Sequence, residues 1–199
     1  FLTLTERFCL MLYTTPAGVD GINFYEIINN RSRIQELERW DFGHYRSFLR
    51  DAVRKLSPLD SDIVYRGGSS ARREVWEEAE VEEGSTVVFR SLITSFSTEP
   101  ESSEGFITNG GIWYQVRFDD WDTNLRWLNG EYSWYGPVES EAILFADAST
   151  FHVDHITLMT EPFYGRDGIL IVEMTELLGA PDRDDNGELD DDDIGSLGG

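Results

Sequence analysis

Lysine and cysteine are nearly missing from this sequence. Lys55 is the only lysine among 199 residues, against fifteen arginines, and Cys9 is the only cysteine. A single cysteine excludes an internal disulfide framework and a cysteine-based metal site. No apolar run reaches the roughly 20 residues of a membrane-spanning helix, so we expect no membrane span. The chain starts at Phe1 rather than at methionine, which indicates a fragment or a processed product.

Positive charge is also scarce. The formal net charge is −22 at pH 7, which argues against nucleic acid as a partner, because phosphate binding needs patches of lysine and arginine. Many acids with almost no lysine are typical of halophiles that accumulate salt, where the Debye length falls to about 3 Å at 1 M salt. We expect a high-salt setting: the cytoplasm of a halophile, or a place reached by secretion or viral delivery. An acidic mesophilic protein is the alternative.

The composition predicts one α+β domain. The chain is 40% apolar and 13% aromatic, enough for one core. Helical spacing of apolar residues predicts helices over 22–39 and 44–57, and the charged segment 70–83 is predicted as a helical connection. We divide the chain into a helical part (1–60), a core (61–178) and an acidic tail (179–199). Apolar and aromatic runs predict strands within 62–68, 87–89, 111–118, 139–146, 151–160 and 168–177.

Three short motifs on extended segments carry the residues of chemical interest. An arginine fork suits a phosphate, and glycine lets a ligand approach the backbone. Two serines or two glutamates one residue apart share a face in a strand, where a structural sheet would avoid adjacent like charges. Separately, each motif is also compatible with ordinary surface or turn structure. The motifs are Tyr65-Arg66-Gly67, Ser95-Phe96-Ser97 and Glu139-Ser140-Glu141.

In this order and spacing, the motifs resemble the R-S-E class of mono-ADP-ribosyltransferases, which includes clostridial binary-toxin enzymes and vertebrate arginine-specific ecto-enzymes. The resemblance extends from about Tyr25 to Leu177. It implies a β-sandwich core of two packed sheets preceded by N-terminal helices. The sequence departs from the family at Phe96, where the family has Thr, and after Ser97, where only Phe106 offers the expected aromatic residue.

The resemblance also implies the substrate NAD and a role for each motif. Glu141 would stabilise the cation that forms on the ribose, and Ser95 would hold Glu141 in place. Arg66 would pair with the phosphates, while Glu139 would orient an incoming guanidinium. The remaining expected NAD contacts are Gly67, Ser97, Arg90 and Phe106, and the expected acceptor-recognition residues are Trp134 and Tyr135.

The predicted function is therefore the transfer of ADP-ribose from NAD to an arginine side chain of a protein target, with release of nicotinamide. An NAD glycohydrolase would keep the same site and use water as the nucleophile. A non-catalytic virion or secreted interaction module is a further alternative. A glycoside hydrolase is disfavoured because its two carboxyls lie on opposite sides of a sugar. We expect a monomer or part of a longer polypeptide.

The acidic tail has a spacing that favours calcium. Oxygen-bearing residues at alternate positions around Gly187 match a calcium loop, with Asp193 where an EF-hand has glutamate. An aspartate-rich stretch can also match this pattern by chance. The final Gly-Ser-Leu-Gly-Gly has the composition of a linker. The predicted ligands are Asp182, Asp184, Asn186, Glu188, Asp190 and Asp193.

Overall fold

The computed structural model defines the architecture of most of the chain. Its helices and strands alternate in an α+β arrangement, and the bounds below refer to the described part alone. The structure describes residues 1–16, 18–19, 22–24, 43–89, 93–118, 123–128, 130–133, 141–145, 149–178 and 194–197.

Four helices occur in the described ranges. The first begins at a capping box, in which the Thr3 hydroxyl accepts from the Glu6 amide and the Glu6 carboxylate accepts from the Thr3 amide. The shortest begins with proline at its first position, where the missing N–H costs no hydrogen bond. The helices are α1 (Leu4–Thr14), α2 (Gly43–Lys55), α3 (Ser70–Glu78) and α4 (Pro100–Glu104).

The described strands form one small hairpin and one large sheet. The hairpin pairs β1 (Gly18–Val19) with β2 (Ile22–Asn23). The strands of the sheet, in chain order, are β3 (Ile63–Gly68), β4 (Thr86–Phe89), β5 (Ile93–Ser97), β6 (Ile112–Arg117), β7 (Arg126–Leu128), β8 (Glu141–Phe145), β9 (Ser149–Leu158), β10 (Leu170–Leu178) and β11 (Ile194–Leu197).

The large sheet is mixed and continuous. Its strand order is β11-β4-β9-β10-β6-β3-β5-β8-β7, and β10 pairs with β6 in parallel. The expected division into two packed sheets is not confirmed, because β3 and β5 are still paired at Tyr65 and Ser97. The join is narrow, however. It has that one pair of Cα partners, whereas β3 and β6 share six.

Two apolar clusters pack against the sheet near this join. On the larger side, Trp76 of α3 packs with Phe89, Tyr114 and Phe151 among other buried residues. On the smaller side, α1 and α2 bury Leu10 and Leu49 among others against Ile93 of β5 and Leu128 of β7. The larger cluster also includes Phe96 of β5, so apolar packing continues across the join between β3 and β5.

Most predicted elements are present. Helices α2 and α3 confirm the helices predicted over 44–57 and within 70–83, and every predicted strand segment contains a strand. The helix predicted from residue 22 does not begin there, because Ile22 and Asn23 pair with β1; residues 25–42 lie outside the described part. Residues 194–197 were predicted as tail and linker, but β11, which they form, pairs with β4.

None of the described helices is long and apolar enough to cross a membrane.

The only lysine of the chain joins the first two helices. Lys55 at the end of α2 donates to Glu6 of α1, at 2.5 Å between Nζ and Oε1. The Glu6 side chain is almost fully buried, so its charge needs a partner. The hydrogen bond from Lys55 lowers the pKa of Glu6, and the bond from the Thr3 backbone lowers it further. The only lysine of the chain therefore forms an ion pair with a buried acid.

We predict that Lys55→Met weakens the fold more at neutral than at acid pH. Because the pKa of folded Glu6 is lowered, its stabilising contribution is present above the ordinary glutamate pKa of about 4.3 and is lost as the pH falls through the lower folded value. Urea unfolding at pH 7 and pH 3 measures this. The difference between Lys55→Met and wild type should shrink at pH 3, and Lys55→Arg serves as the charge-preserving control. An equal difference at both pH values would contradict the ion-pair explanation.

Candidate active site

A cavity opens where the two parts of the sheet meet. Its volume is about 580 Å³, within the range of sites that hold a small-molecule ligand or cofactor. Beyond the single pairing of Tyr65 with Ser97, β3 and β5 are not registered, so space is left between them. The described residues that line the cavity are Tyr13, Thr14, Thr15, Pro16, Asn23, Arg66, Gly67, Gly68, Ser69, Arg72, Ser95, Phe96, Ser97, Ser102, Ser103 and Phe106.

Arg66 bridges the join. Its Nη1 donates to the carbonyl oxygen of Ser95, at 2.6 Å, so a β3 side chain holds the β5 backbone. The residue is half-buried and faces the cavity. A guanidinium has five donors in a planar fork, so one group can contact more than one partner. Arg66 can therefore hold the two strands together and present positive charge to a ligand.

Ser95 also meets the first helix. Its hydroxyl shares a hydrogen bond of 2.5 Å with the hydroxyl of Tyr13, in the last turn of α1. Tyr13 is only 3% exposed, because its ring belongs to the apolar cluster beneath α1 and α2. A rigid, packed ring therefore fixes the orientation of the Ser95 side chain at the cavity wall.

Gly67 allows α4 to lie directly on β3. A Cβ atom at this position would overlap the carbonyl oxygen of Ser103 and would crowd Ile107. The Ser103 hydroxyl also donates to the carbonyl oxygen of Tyr65, at 3.0 Å. This close contact brings Ser102, Ser103 and the exposed Phe106 to one side of the cavity. The glycine is needed here for packing.

Ser97 connects the cavity to the strand that carries the predicted catalytic glutamate. Its hydroxyl accepts from the Glu99 amide, at 3.1 Å, and thereby holds the turn before α4. In the pairing of β5 with β8, Ser97 is the Cα partner of Glu141, and Ser95 is the partner of Ile143. The Glu141 backbone thus lies at the start of β8, beside the cavity strand.

The predicted site residues divide into two groups. Arg66, Gly67, Ser95, Ser97 and Phe106 all line the same cavity, and Glu141 begins the adjacent strand. The other predicted residues lie outside the described part of the chain: Arg90, Trp134, Tyr135 and Glu139 at the site, and Asp182, Asp184, Asn186, Glu188, Asp190 and Asp193 in the calcium loop. In the ranges that the structure describes, no cluster of His, Cys, Asp and Glu could hold a metal. The calcium site stays a prediction.

Arg72 and Tyr13 contribute to the cavity and were not among the predicted residues. Ser69 caps α3 by accepting from the Arg72 amide, which places Arg72 in the first helical turn, directly after the two glycines. That serine was a readable helix-start signal. For Tyr13, the Thr3–Glu6 capping box was a helix-start signal that the sequence analysis did not use, and nothing local indicates a contact with a residue 82 positions away.

The cavity has a positive character, although the protein is strongly acidic. It is lined by Arg66 and Arg72, and none of the described lining residues is an aspartate or glutamate. Ser69 and Arg72 also place the N-terminal end of α3 at the wall, where the positive end of the helix dipole favours anions. The cavity is therefore suited to an anionic ligand such as a diphosphate.

The fold is found in known toxins. No protein-family model matches the chain, and no curated protein does. Plx2a, an ADP-ribosyltransferase toxin from Paenibacillus larvae, matches with a TM-score of 0.64 at 20% identity, over 88% of this chain and 87% of that one. Vis toxin, an ADP-ribosyltransferase from Vibrio splendidus, matches with a TM-score of 0.59 at 18% identity, over 89% and 75%. The Salmonella SpvB ATR domain matches with a TM-score of 0.59 at 14% identity, over 88% and 100%. The chain has the fold of these ADP-ribosyltransferases.

We predict that Gly67→Ala destabilises the fold by about 1–3 kcal/mol, as overpacking of a tight contact usually does. The added methyl group must displace the Ser103 backbone and, with it, α4. Gly105→Ala is the matched control, since no atom lies within 4 Å of its added Cβ and its φ of −61° suits alanine. Urea unfolding of both variants measures the difference. Equal stabilities would show that α4 does not depend on this close approach.

Proposed function

We propose that this protein is a mono-ADP-ribosyltransferase of the R-S-E class, which cleaves NAD and transfers ADP-ribose to an arginine side chain of a protein. The observation that supports the proposal is that Arg66 and Ser95 line one cavity, while Glu141 begins β8 as the Cα partner of Ser97, another lining residue. They come from three separate strands. Their order along the chain is that of the class, and the fold is that of ADP-ribosyltransferase toxins.

The diphosphate of NAD binds to the positive wall in this proposal. Arg66 supplies a guanidinium at the end of β3, and Arg72 supplies a second at the start of α3. Guanidinium groups form paired hydrogen bonds to phosphate oxygens, and the positive end of the α3 dipole adds to the attraction. Arg72 thereby provides a local positive charge of the kind that we predicted for Arg90.

The nicotinamide end lies along β3 and α4. Gly67 lines the cavity, where its backbone can bond to an amide group, and the exposed ring of Phe106 also lines it. Aromatic rings bind flat heterocycles by stacking. This position directs the nicotinamide–ribose bond toward β5 and the start of β8, where the carboxylate of Glu141 is needed.

The chemical step is a displacement at C1′ of the ribose. The bond from C1′ to the pyridinium nitrogen breaks, its electron pair goes to nicotinamide, and positive charge develops on the sugar. Glu141 stabilises that charge, which is the largest contribution expected of a fixed charge in such a site. Glu139 takes a proton from the acceptor guanidinium, whose nitrogen then forms the new bond to C1′.

Ser95 and Tyr13 position Glu141 in this scheme. Ser95 is the diagonal neighbour of Glu141 across β5 and β8, about 7–8 Å apart on the backbone, a span that serine and glutamate side chains can close. The hydrogen bond between the Tyr13 and Ser95 hydroxyls fixes the serine side chain before substrate binds. Arranging the group in advance removes a reorganisation cost from the reaction itself.

We predict that Glu141→Gln lowers NAD cleavage by at least roughly 10²–10³-fold, with or without an acceptor, because the charge that meets the ribose cation is lost. Glu139→Gln should spare NAD hydrolysis and impair transfer to arginine, since only the acceptor proton is affected. Incubation with labelled NAD, in dilute buffer and in molar salt, separates label on protein from free ADP-ribose.

The same assay distinguishes the alternatives. Free ADP-ribose without protein label supports an NAD glycohydrolase, and intact NAD under all conditions supports a non-catalytic module. Transfer that survives Glu139→Gln would contradict the division of roles between the two acids. Circular dichroism of both variants controls for folding.

We also predict that Arg72→Ala weakens NAD binding roughly 10- to 100-fold, the value of one charge-assisted hydrogen bond of about 1.5–3 kcal/mol. Arg117→Gln is the control, since this exposed arginine pairs with Glu173 outside the cavity. Binding is measured by calorimetry with NAD and with ADP-ribose. Arg72→Ala should weaken both ligands equally, because both carry the diphosphate. A selective loss of NAD binding would instead place Arg72 at the nicotinamide end.

A further inference from the structure

The loop between β9 and β10 contains an unusual turn. Phe163 and Arg166 exchange both backbone hydrogen bonds, at 2.9 and 3.0 Å, so Tyr164 and Gly165 form a two-residue hairpin turn. Both have positive φ, 47° and 71° respectively. This geometry favours Asn-Gly, and tyrosine is unfavourable at the first position. Residues held in unfavourable backbone conformations cluster at binding and active sites, so the Tyr164 ring is a candidate binding group.

The Tyr164 ring belongs to an aromatic group at the protein surface. Its centroid is 4.7 Å from that of Phe163 and 5.6 Å from that of Trp113, and Trp113 in turn lies 5.7 Å from Tyr65. Trp113 is buried, Phe163 and Tyr65 are half-buried, and Tyr164 is 37% exposed. We call Tyr65, Phe163 and Tyr164, supported by Trp113, the aromatic hairpin surface.

Carboxylates occur in the same loop and on α4. Burial raises the pKa of the Tyr164 hydroxyl, and the negative charges of Glu101 and Glu104 on α4 raise it further, so both acids act on the ring's polar end. Glu161 and Asp167 are exposed in the same loop. Arg166 is a basic neighbour, and its guanidinium donates to the Tyr164 carbonyl oxygen at 2.7 Å. Aromatic faces beside carboxylates attract cations.

The surface lies close to the candidate active site. Tyr65 is the Cα partner of Ser97, which is the Cα partner of Glu141. Two strand spacings therefore separate Tyr65 from Glu141, about 10 Å on the backbone. Helix α4 stands between the two regions: Ser102 and Ser103 line the cavity, whereas Glu101 and Glu104 influence Tyr164. A peptide of a few residues can span from one region to the other.

We propose that the aromatic hairpin surface docks a cationic segment of the protein acceptor, with an arginine or lysine side chain on the exposed Tyr164 ring and the carboxylates of α4 beside it. The proposal rests on the proposed function, since it assigns the acceptor of that same reaction. It makes acceptor choice depend on charge next to the modified arginine. Arginine is the better fit because its planar group stacks on aromatic faces.

The test uses Tyr164→Gly, which removes the ring but suits the positive φ of the turn. The thermal midpoint should therefore stay equal or rise. Two acceptors are compared: agmatine, a small guanidine, and a 12-residue peptide with one central arginine flanked by lysines. We expect kcat/KM for the peptide to fall about 5- to 50-fold, while agmatine modification and NAD hydrolysis stay unchanged. Equal effects on both acceptors would overturn the proposal.

Direct binding separates this proposal from the proposed function. Fluorescence anisotropy of the labelled peptide, without NAD, should show weaker binding for Tyr164→Gly and for Glu101→Gln with Glu104→Gln. Phe48→Ala, at an exposed ring of α2, and Glu78→Gln with Glu82→Gln, at exposed acids, are the controls. Peptide binding that depends on Tyr164, without any NAD cleavage, would support the surface and reject the enzyme. Binding that is the same in all variants would reject the surface.

Discussion

The hydrogen bond from Arg66 to the Ser95 carbonyl oxygen is the contact on which the site depends. The two strands that it joins share a single pair of Cα partners, so the backbone alone ties them weakly. If β3 and β5 were hydrogen-bonded along their whole length, no cavity would lie between them. If they were fully separated, they would not line the same cavity. The guanidinium holds the join at a width that admits a ligand. The same residue thus serves the fold and, in the proposed function, the substrate.

The distribution of charge follows from this arrangement. A chain with net charge −22 repels anions at long range, so an anionic ligand needs a place where local charge outweighs the total. The cavity meets this need with two arginines and the start of α3. High salt would favour binding of the anionic ligand, because screening weakens its repulsion by distant acids far more than its contacts inside the cavity. The sole lysine, in contrast, neutralises a buried acid between two helices.

Local signals in the sequence were sufficient for most of the strands and for several residues that line the cavity. Arg66, Ser95 and Ser97 stand out because each motif has a period that is readable within one strand. Helix α1 was missed although Thr3 and Glu6 form a capping box, since its apolar residues lie on more than one face: Phe8 is exposed while Leu10 is buried. The Tyr13–Ser95 contact and the narrow β3–β5 join depend on tertiary packing, which no local sequence pattern predicts. Tyr164 breaks the usual turn preference, so sequence alone gave no reason to place a turn there.

The distance along the chain between cavity partners has a consequence for folding. Tyr13 and Ser95 are 82 residues apart, and Glu141 follows Ser97 by a further wide interval, so the cavity is built almost wholly from non-local contacts. Such contacts form late, because the entropy of closing long loops must be overcome first. A growing polypeptide on the ribosome would therefore complete the described cavity wall only once Phe106 has emerged, and β8 would pair with β5 later. In the proposed function, NAD cleavage would have to wait for that last strand.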